Sequence, residues 1–381
     1  MNDIRKTVQI LILLGVLLGG CRKEAEVFEP EIEIPAPPTP PDSIVGFYLL
    51  NEGNMGSNKA TLDYYDFATG AYRRNIYADA NPSVPKELGD VGNDIRIYGS
   101  RLYAVINCSN KVEVMDAATA RRIGQIDIPN CRYIRFHQGY AYVSSYAGPV
   151  EINPNYKQQG YVAKVDTATL EVVDRCLVGF QPDELEITQG KIFVANSGGY
   201  MMPNYESTVS VIDLQTFTET RRIEVARNLH RLRADRHGNL WVTSRGDYYA
   251  QPSRLYRIDL EHGEAVDSLD IAVSNFYLDG DSLYLYSVEW SYVTMSSVTT
   301  YGIVDVARRE IVARNFITDG SDALIRIPYG ILVHPDTKDI YLTDAGNYVS
   351  PGTLYCFSPN GRMQWTVRTG DIPAHFVFRY N

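Results

Sequence analysis

The sequence predicts an all-β fold, a seven-bladed β-propeller closed by its C-terminal strand. Two patterns support this prediction, and both recur seven times. An apolar residue followed by Asp occurs six times, with a degenerate seventh copy, at steps of 46 to 53 residues. A second apolar run, ending in a small polar residue, also occurs seven times. Repeats of this length, rich in β-branched and aromatic residues, are typical of propeller blades.

The Asp repeat marks the end of the third strand of each blade. Its copies are Tyr65-Asp66, Met115-Asp116, Val165-Asp166, Ile212-Asp213, Ile258-Asp259 and Val304-Asp305, with Phe357-Ser358-Pro359-Asn360-Gly361 as the degenerate copy. In the first four copies Thr follows three residues after the Asp, which suits a turn in which the carboxylate accepts backbone N–H bonds. These Asp residues are therefore interpreted as structural.

The second pattern predicts the second strand of each blade. Its runs are Phe47 to Asn51, Leu102 to Asn107, Ala141 to Ser144, Ile192 to Asn196, Leu240 to Ser244, Leu283 to Ser287 and Ile340 to Asp344. A complete blade then has four strands, as in Asp94 to Tyr98, Leu102 to Asn107, Val112 to Asp116 and Arg122 to Ile128. Turns containing Gly or Asp separate these strands, as hairpins require.

The two ends of the repeat array predict how the ring closes. The first unit begins with its second strand at Phe47, so it lacks an innermost strand. The last segment, His375 to Tyr380, has the pattern of an innermost strand without a blade of its own. Pairing of the two would close the ring and remove an exposed sheet edge. The fold is therefore expected to be very sensitive to loss of the C-terminal residues.

The N-terminal residues predict a lipoprotein signal, a tether and then the propeller. Arg5 and Lys6 precede a short apolar run, which leads to Leu18-Gly19-Gly20-Cys21. This is the pattern of a bacterial lipoprotein signal peptide over residues 1–20, with Cys21 as the lipidated residue and membrane anchor. Residues 21–43 are acidic and proline-rich and are predicted to form a tether, and residues 44–381 form the propeller domain.

Charge and cysteine positions restrict the partners and the compartment. The formal charge of −10 makes nucleic acid an unfavourable partner. The acidic residues directly after Cys21 resemble the signal that sends some lipoproteins to the outer face of the outer membrane. Cys108 and Cys131 are expected on one face and could form a disulfide in an oxidising envelope, whereas Cys176 and Cys356 are predicted to be free and buried.

One face of the disc, called here the elaborated face, is predicted to carry the binding site. The loops that follow the second strands are long there: Ser144 to Gly160, Asn196 to Ser207, Ser244 to Ser253, Ser287 to Thr300 and Asp344 to Gly352. Turns on the other, plain face are short. Long loops rich in Tyr, Trp, Met, Asn and Gly are common at binding surfaces.

The connections into the innermost strands reach the same face, near the central channel. They bring Asp90, Asn93, Asp94, Arg132, Tyr133, Phe180, Asp183, Glu184, His230 and His375 to it. The candidate ligand-binding residues are Asp90, Asn93, Arg132, Tyr133, Tyr146, Phe180, Tyr200, Tyr205, His230, Arg245, Tyr248, Tyr249, Trp290 and Tyr348. The mixed charge of this set does not favour a metal, and no catalytic motif is present, so no metal, cofactor or enzymatic activity is predicted.

The sequence also resembles a known family. The run Asn51-Glu52-Gly53-Asn54-Met55-Gly56-Ser57-Asn58 resembles the opening motif of YncE-like surface propeller lipoproteins, and residues 160 to 199 are similar to their blade consensus. With the signal and the acidic tether, the layout is similar to the BtuG-type cobalamin-binding lipoproteins. The resemblance implies capture of a corrinoid and its delivery to a TonB-dependent outer-membrane transporter, with cobalamin as a transported ligand. It assigns no ligand-contacting residue.

Three alternatives remain open from the residues alone. A glycan or peptide receptor could use the same Tyr and Trp surface. A calcium-dependent lactonase or lyase would need a metal held in the channel by residues such as Asp94, Asp183 or Glu184. A scaffold that joins other envelope proteins would need an apolar patch on the elaborated face.

Overall fold

The computed structural model describes residues 31–37, 43–291 and 295–381, with the side chains of residues 290 and 291 excepted. Within these residues, 29 strands form seven antiparallel sheets, one for each blade. The predicted seven-bladed β-propeller is therefore confirmed. No helix among the described residues is long and apolar enough to cross a membrane.

The strands follow one another blade by blade along the chain. Blade 1 contains β1 (Glu31–Glu33), β2 (Ile44–Asn51), β3 (Thr61–Asp66), β4 (Ala71–Arg74) and the last strand β29 (Pro373–Tyr380), and blade 2 contains β5 (Gly92–Tyr98), β6 (Arg101–Ile106), β7 (Lys111–Asp116) and β8 (Arg122–Asp127). Blade 3 contains β9 (Cys131–His137), β10 (Tyr140–Ser145), β11 (Tyr161–Asp166) and β12 (Val172–Leu177), and blade 4 contains β13 (Pro182–Thr188), β14 (Lys191–Asn196), β15 (Thr208–Asp213) and β16 (Thr218–Glu224). Blade 5 contains β17 (Leu229–Ala234), β18 (Asn239–Ser244), β19 (Arg254–Asp259) and β20 (Glu264–Leu269). Blade 6 contains β21 (Asn275–Asp279), β22 (Ser282–Ser291), β23 (Ser296–Asp305) and β24 (Glu310–Ala313), and blade 7 contains β25 (Pro328–Val333), β26 (Ile340–Asp344), β27 (Pro351–Phe357) and β28 (Met363–Asp371). Two short helices, α1 (Ile76–Ala80) and a 3-10 helix (Ser321–Leu324), lie in connections between blades.

The C-terminal strand closes the ring as predicted. β29 pairs antiparallel with β2, and Phe376 lies opposite Leu49 in the register. The ring of Phe376 packs edge-on against Phe47 at 5.5 Å, and Phe47 in turn packs against Tyr341 of blade 7 at 4.9 Å. The last strand therefore completes both the sheet of blade 1 and the apolar core between blades 1 and 7.

The end of the predicted tether has a different structure from that expected. Residues 31–33 form β1, which pairs with β4 at the outer edge of blade 1. Arg74 of β4 is buried and forms ion pairs with Glu31 and Glu33. The acidic side chains of this segment therefore bind it to the propeller, whereas the prediction gave them only a solvating role. The signal at 1–20, Cys21 and the stretches at 22–30 and 38–42 lie outside the described residues.

The repeated Asp residues form the turns that the sequence predicts. Oδ1 of Asp66 accepts the N–H of Thr69 at 2.9 Å, and Oδ1 of Asp116 accepts that of Thr119 at the same distance. Asp166, Asp213, Asp259 and Asp305 accept N–H bonds in the same way. These carboxylates replace backbone partners where the chain reverses between the third and fourth strands, which confirms their structural role.

The prediction of a loop from Ser287 to Thr300 is wrong, because most of this stretch forms paired strands. β22 and β23 each run for ten residues and continue as a paired hairpin beyond blade 6, with Val288 opposite Thr299 and Ser291 opposite Ser296. The run Ser296-Ser297-Val298-Thr299-Thr300 contains β-branched residues that favour continued strand pairing. The long loop is therefore a projecting hairpin on the elaborated face.

The four cysteines of the described residues, Cys108, Cys131, Cys176 and Cys356, are free thiols. The suggested disulfide between Cys108 and Cys131 is not formed. The buried Sγ of Cys131 lies 3.3 Å from the carbonyl oxygen of Lys111, whereas that of Cys108 lies 3.4 Å from Oδ1 of Asn107. Cys176 and Cys356 are free and buried, as predicted.

Candidate ligand-binding site

A shaped loop in blade 5 presents two tyrosines to solvent. It begins at Gly246, which has a φ of +66°, and an added Cβ there would overlap the carbonyl oxygen of Gln251. Asp247 accepts the N–H groups of Tyr249 at 2.9 Å and of Gln251 at 2.8 Å. These bonds fix the loop, so Tyr248 and Tyr249 stand out from the surface with 54% and 72% of their area exposed. Rings held in this way lose little entropy when a ligand binds.

Blade 7 repeats this design. Gly346 has a φ of +61°, and Asn347 accepts the N–H of Ser350 at 2.8 Å, as Asp247 does in blade 5. Tyr348 is exposed and has the same left-handed backbone as Tyr248, with φ values of +62° and +64°. The shared Gly-Asx-Tyr pattern is visible in the sequence, and it would have identified both loops as structures that hold a tyrosine at the surface.

Two cavities open on the elaborated face, both away from the channel axis. The larger, of about 510 Å³, lies between blades 4 and 5, and its lining includes Tyr205, Arg227 and Gly246. The smaller, of about 450 Å³, lies on the outer side of blade 3 beside Lys157 and Arg175. The larger cavity therefore shares its wall with the loop that carries Tyr248 and Tyr249.

The channel mouth, formed by the first residues of the innermost strands, contains an ionic network centred on Asp183. This fully buried carboxylate accepts the hydroxyl of Tyr146 at 2.8 Å, Nη1 of Arg245 at 2.9 Å and Nε of Arg132 at 3.3 Å. The guanidinium of Arg132 also lies 4.6 Å from the centre of the Tyr146 ring. Tyr200 packs edge-on against Tyr146 at 6.4 Å. Asp183 thus joins three predicted site residues, Arg132 and Tyr146 from blade 3 and Arg245 from blade 5.

Tyr133 and His230 form a second contact at the channel mouth. The hydroxyl of Tyr133 lies 2.9 Å from Nε2 of His230. Burial lowers the pKa of His230 well below its usual range, and the positive charges of Arg245, Arg231 and Arg132 lower it further. The imidazole is therefore neutral at physiological pH and can exchange a hydrogen bond with Tyr133 or a ligand.

A deeper layer of the channel is fully ion-paired. Glu184 is buried and contacts Nη1 of Arg233 at 2.5 Å, Nη2 of Arg135 at 2.7 Å and the N–H of Leu232 at 2.9 Å. Burial alone would raise the pKa of Glu184, but the arginines outweigh it and hold this pKa below its usual range. Nη1 of Arg135 also contacts Asp94 at 3.0 Å.

The channel carboxylates are poorly suited to a cation. Asp94, Asp183 and Glu184, which the lactonase alternative needs as ligands, are each already bound by arginine side chains. Among the described residues, no group of three or more His, Cys, Asp or Glu side chains is arranged to hold a metal ion. A divalent cation would have to displace arginines from these carboxylates.

Glu52 of the opening motif has a role that sequence reasoning did not assign. Its two carboxylate oxygens lie 3.0 Å from Nε2 of His375 and 2.9 Å from the hydroxyl of Tyr329. His375 belongs to the closing strand β29, so Glu52 links the first loop of the propeller to its last strand. Tyr348 covers this contact by packing edge-on against Tyr329 at 5.8 Å.

The remaining predicted residues lie around this centre. The carboxylate of Asp90 accepts the N–H of Gly56 at 3.0 Å and so fixes the opening loop. Nδ2 of Asn93 donates to the carbonyl oxygen of Arg132 at 2.7 Å. Both side chains therefore hold neighbouring backbone in place.

Two other predicted residues do not contribute a described side-chain contact to the channel mouth. Phe180 is half-buried, and its backbone N–H donates to Glu206 at 3.0 Å. Trp290 lies in the projecting hairpin, and its side chain is outside the described part of the structure. The structure thus gathers Arg132, Tyr133, Tyr146, His230 and Arg245 at the channel mouth. It separates them from an outer aromatic group of Tyr205, Tyr248, Tyr249 and Tyr348.

Fold and site together define a seven-bladed β-propeller with an aromatic, arginine-containing face of shaped loops. The chain belongs to the DUF5074 family, described as a domain of unknown function, which matches residues 45–357. No curated protein sequence matches the chain significantly. The narrower resemblance to BtuG-type lipoproteins stays a prediction.

Solved structures show similarity in fold alone. A quinoprotein alcohol dehydrogenase-like protein from Bacteroides thetaiotaomicron is 13% identical with a TM-score of 0.57, covering 88% of this chain and 78% of that one. Hydrazine synthase of Kuenenia stuttgartiensis is 16% identical with a TM-score of 0.56, covering 71% and 77%. Apo AztD from Citrobacter koseri is 11% identical with a TM-score of 0.53, covering 89% and 98%.

Proposed function

We propose that this protein is a cell-surface lipoprotein that captures cobalamin or a related corrinoid on its elaborated face and passes it to a TonB-dependent outer-membrane transporter. The observation that carries the proposal is the set of exposed tyrosines, Tyr248, Tyr249 and Tyr348, held in fixed loops around a channel mouth that contains arginines. In this proposal the protein binds and transfers its ligand and does not catalyse a reaction.

The chemistry of a corrinoid fits this surface. Its macrocycle is broad and flat, its edge carries amides, and its nucleotide loop carries a phosphodiester. Tyrosine rings supply apolar contact with a polar tip, backbone groups of the shaped loops suit the amides, and Arg245 suits the phosphodiester. The cavity of about 510 Å³ beside Tyr205 offers room for one part of such a ligand next to the exposed rings.

The proposed location and partner rest on the N-terminal residues. The pattern Leu18-Gly19-Gly20-Cys21 supports a lipid anchor, and the acidic residues that follow support export to the outer face of the outer membrane. A surface-anchored binding protein needs a route into the cell for a ligand too large to diffuse through general pores. This requirement supports a TonB-dependent transporter as the partner.

The proposal predicts direct binding of cyanocobalamin by the full chain. Isothermal titration calorimetry with the purified protein should give a saturable heat with one ligand per chain. A glycan receptor on the same surface is the second candidate, because tyrosine platforms also suit sugar rings. Absence of corrinoid binding at micromolar concentration, with saturable binding of an oligosaccharide, would replace the first function by the second.

The exposed rings of Tyr248 and Tyr249 should contribute to the affinity for the ligand and little to the stability of the fold. The double variant Tyr248→Ala/Tyr249→Ala is expected to weaken corrinoid binding by about tenfold or more, because aromatic anchors at interfaces are commonly worth more than about 1 kcal/mol each. Its unfolding temperature should stay close to that of the parent, because exposed side chains contribute little. Tyr380→Ala is the matched control, since Tyr380 is 59% exposed at the end of β29 on the plain face. Equal affinity of both variants would contradict the assignment of these rings.

A further inference from the structure

Arg231 in the channel forms no direct ion pair with the described residues. It is the third residue of β17, and only 9% of it is exposed. Its Nε has no hydrogen-bond partner among the described residues, and none of the ion pairs described there includes it. Its guanidinium lies 5.3 Å from the centre of the Tyr133 ring, a cation–π contact that leaves the N–H donors free. Glu184 and Asp94 act on this buried guanidinium only from a longer distance, so its N–H donors remain available to an anion.

Two further arginines face the same place and share a single carboxylate. Arg132 and Arg245 both bind Asp183, so one negative charge serves two guanidinium groups. His230 lies among the three arginines, whose positive charges act on its imidazole, and it contacts Tyr133 at 2.9 Å. The group of Arg132, Arg231, Arg245 and neutral His230 is therefore electropositive and rich in hydrogen-bond donors.

The charge of the channel contrasts with that of the whole chain. The channel mouth contains three arginines, Arg132, Arg231 and Arg245, and one carboxylate, Asp183, which pairs with Arg132 and Arg245. The formal charge of the whole chain is −10. A site with this local excess of positive charge attracts an anion, whereas the net negative charge of the chain disfavours polyanions such as nucleic acid.

We propose that the channel mouth is an oxyanion-binding site in which Arg231, with Arg132, Arg245 and His230, receives a phosphate group carried by the small-molecule ligand. The buried guanidinium of Arg231 supplies a planar pair of N–H donors. Arg245, whose side chain is 26% exposed, supplies a further donor from the solvent side. The identity of the natural ligand rests on the proposed function, in which the phosphodiester of the corrinoid nucleotide loop would occupy the site. The site itself can be tested with inorganic phosphate alone.

The first test measures thermal unfolding of the full chain in phosphate and in chloride at equal ionic strength. Phosphate should raise the unfolding temperature of the parent, because a ligand that binds only the folded state stabilises it. Arg231→Gln should remove this increase. In chloride this variant should unfold close to the temperature of the parent, because the substitution breaks no direct ion pair and no described hydrogen bond of the Arg231 side chain. Arg236→Gln is the matched control, since Arg236 follows the same strand but lies exposed on the plain face beside Asp281.

Two results of this test would overturn the site. One is an equal unfolding temperature of the parent in phosphate and in chloride. The other is an equal phosphate effect in Arg231→Gln. Marked destabilisation of Arg231→Gln in chloride would also contradict it, because Arg231 would then be a structural counter-charge for the deeper carboxylates.

The second test separates the site from the proposed function. Cobinamide lacks the nucleotide loop and its phosphodiester, so the parent should bind it about tenfold more weakly than cyanocobalamin, as expected for loss of charge-assisted hydrogen bonds. Arg231→Gln should bind the two corrinoids with similar affinity. If neither corrinoid binds but phosphate still stabilises the parent, the proposed function fails and the oxyanion site stands. If both corrinoids bind and Arg231→Gln discriminates between them as the parent does, the phosphate subsite fails and the proposed function stands.

Discussion

Deletion of residues 373–381 is expected to prevent the protein from reaching a stable folded state. The deletion removes the whole of β29, so the inner edge of β2 loses its hydrogen-bond partner and the core between blades 1 and 7 is opened. Replacement of a single buried Phe by Ala commonly costs about 3–5 kcal/mol, and whole domains are stable by only about 5–15 kcal/mol. Loss of Phe376, Phe378 and their strand together therefore exceeds the available stability. Circular dichroism and size-exclusion chromatography should show an unfolded or aggregated chain.

A single substitution in β29 measures how much this strand contributes to the free energy of unfolding. Phe376→Ala should lower the free energy of unfolding by about 3–5 kcal/mol in denaturant titrations, because the ring is buried against Phe47. Deletion of Asn381 alone is the control, because this exposed residue lies beyond β29. A truncated chain lacking residues 373–381 that unfolds cooperatively at the parent temperature would show that closure does not hold the ring together.

Glu184→Gln is expected to destabilise the protein by about 3–5 kcal/mol near neutral pH, because it breaks a buried ion-pair network by removing one partner. Glu184 neutralises Arg135 and Arg233 in the deeper channel layer, and glutamine cannot replace its charge. Glu186→Gln is the matched control on the same strand. Its carboxylate is more exposed, accepts the N–H of Ile187 at 3.3 Å and makes a long contact of 3.8 Å with Arg135, so loss of its charge should cost much less. Chemical denaturation of the two variants measures the difference.

The pH dependence of the Glu184 effect has a defined sign. The pKa of Glu184 is held below its ordinary value of 4.5 by the channel arginines, which outweigh the effect of burial. A depressed carboxylate pKa stabilises the folded state above the ordinary value, and this contribution is lost as the pH falls through the folded value. The stability difference between the parent and Glu184→Gln should therefore be constant above about pH 4.5 and shrink below it. A difference that grows on acidification would contradict the ion-pair network.

The closing strand could be predicted because the strand count leaves the first unit without an innermost strand and the C-terminus with an extra one. The repeat length and the Asp turns could be predicted because each depends on local sequence. Asp66 and Thr69, for example, are three residues apart, and their bond needs no distant partner. The alternation of apolar residues likewise indicates strands without knowledge of their neighbours. The same patterns predicted the position of the elaborated face, because the connections that follow the second strands all leave their blades at the same end of the disc.

Local sequence patterns could not predict which strands pair when the partner strand is distant or its edge is set by the assembled blade. β1 pairs with β4 across about 40 residues, and the tether composition alone indicated only a solvated segment. In blade 6, the stretch Ser287 to Thr300, predicted as a loop, contains no Gly and several β-branched residues, and most of it continues the pairing of β22 with β23. Both errors arise because pairing depends on which edge of a sheet is available, and that is a property of the assembled blade.

By itself the sequence determined the seven blades, the closure and the side of the disc that carries aromatic loops, since these follow from periodic short-range patterns. Only the tertiary structure decided which of the polar residues meet. Tyr133 and His230 are 97 residues apart, and Arg245 reaches Asp183 across 62. Curvature of the ring brings these strands to one axis, where Arg132 and Arg245 share Asp183 and Arg231 forms no direct ion pair with the described residues.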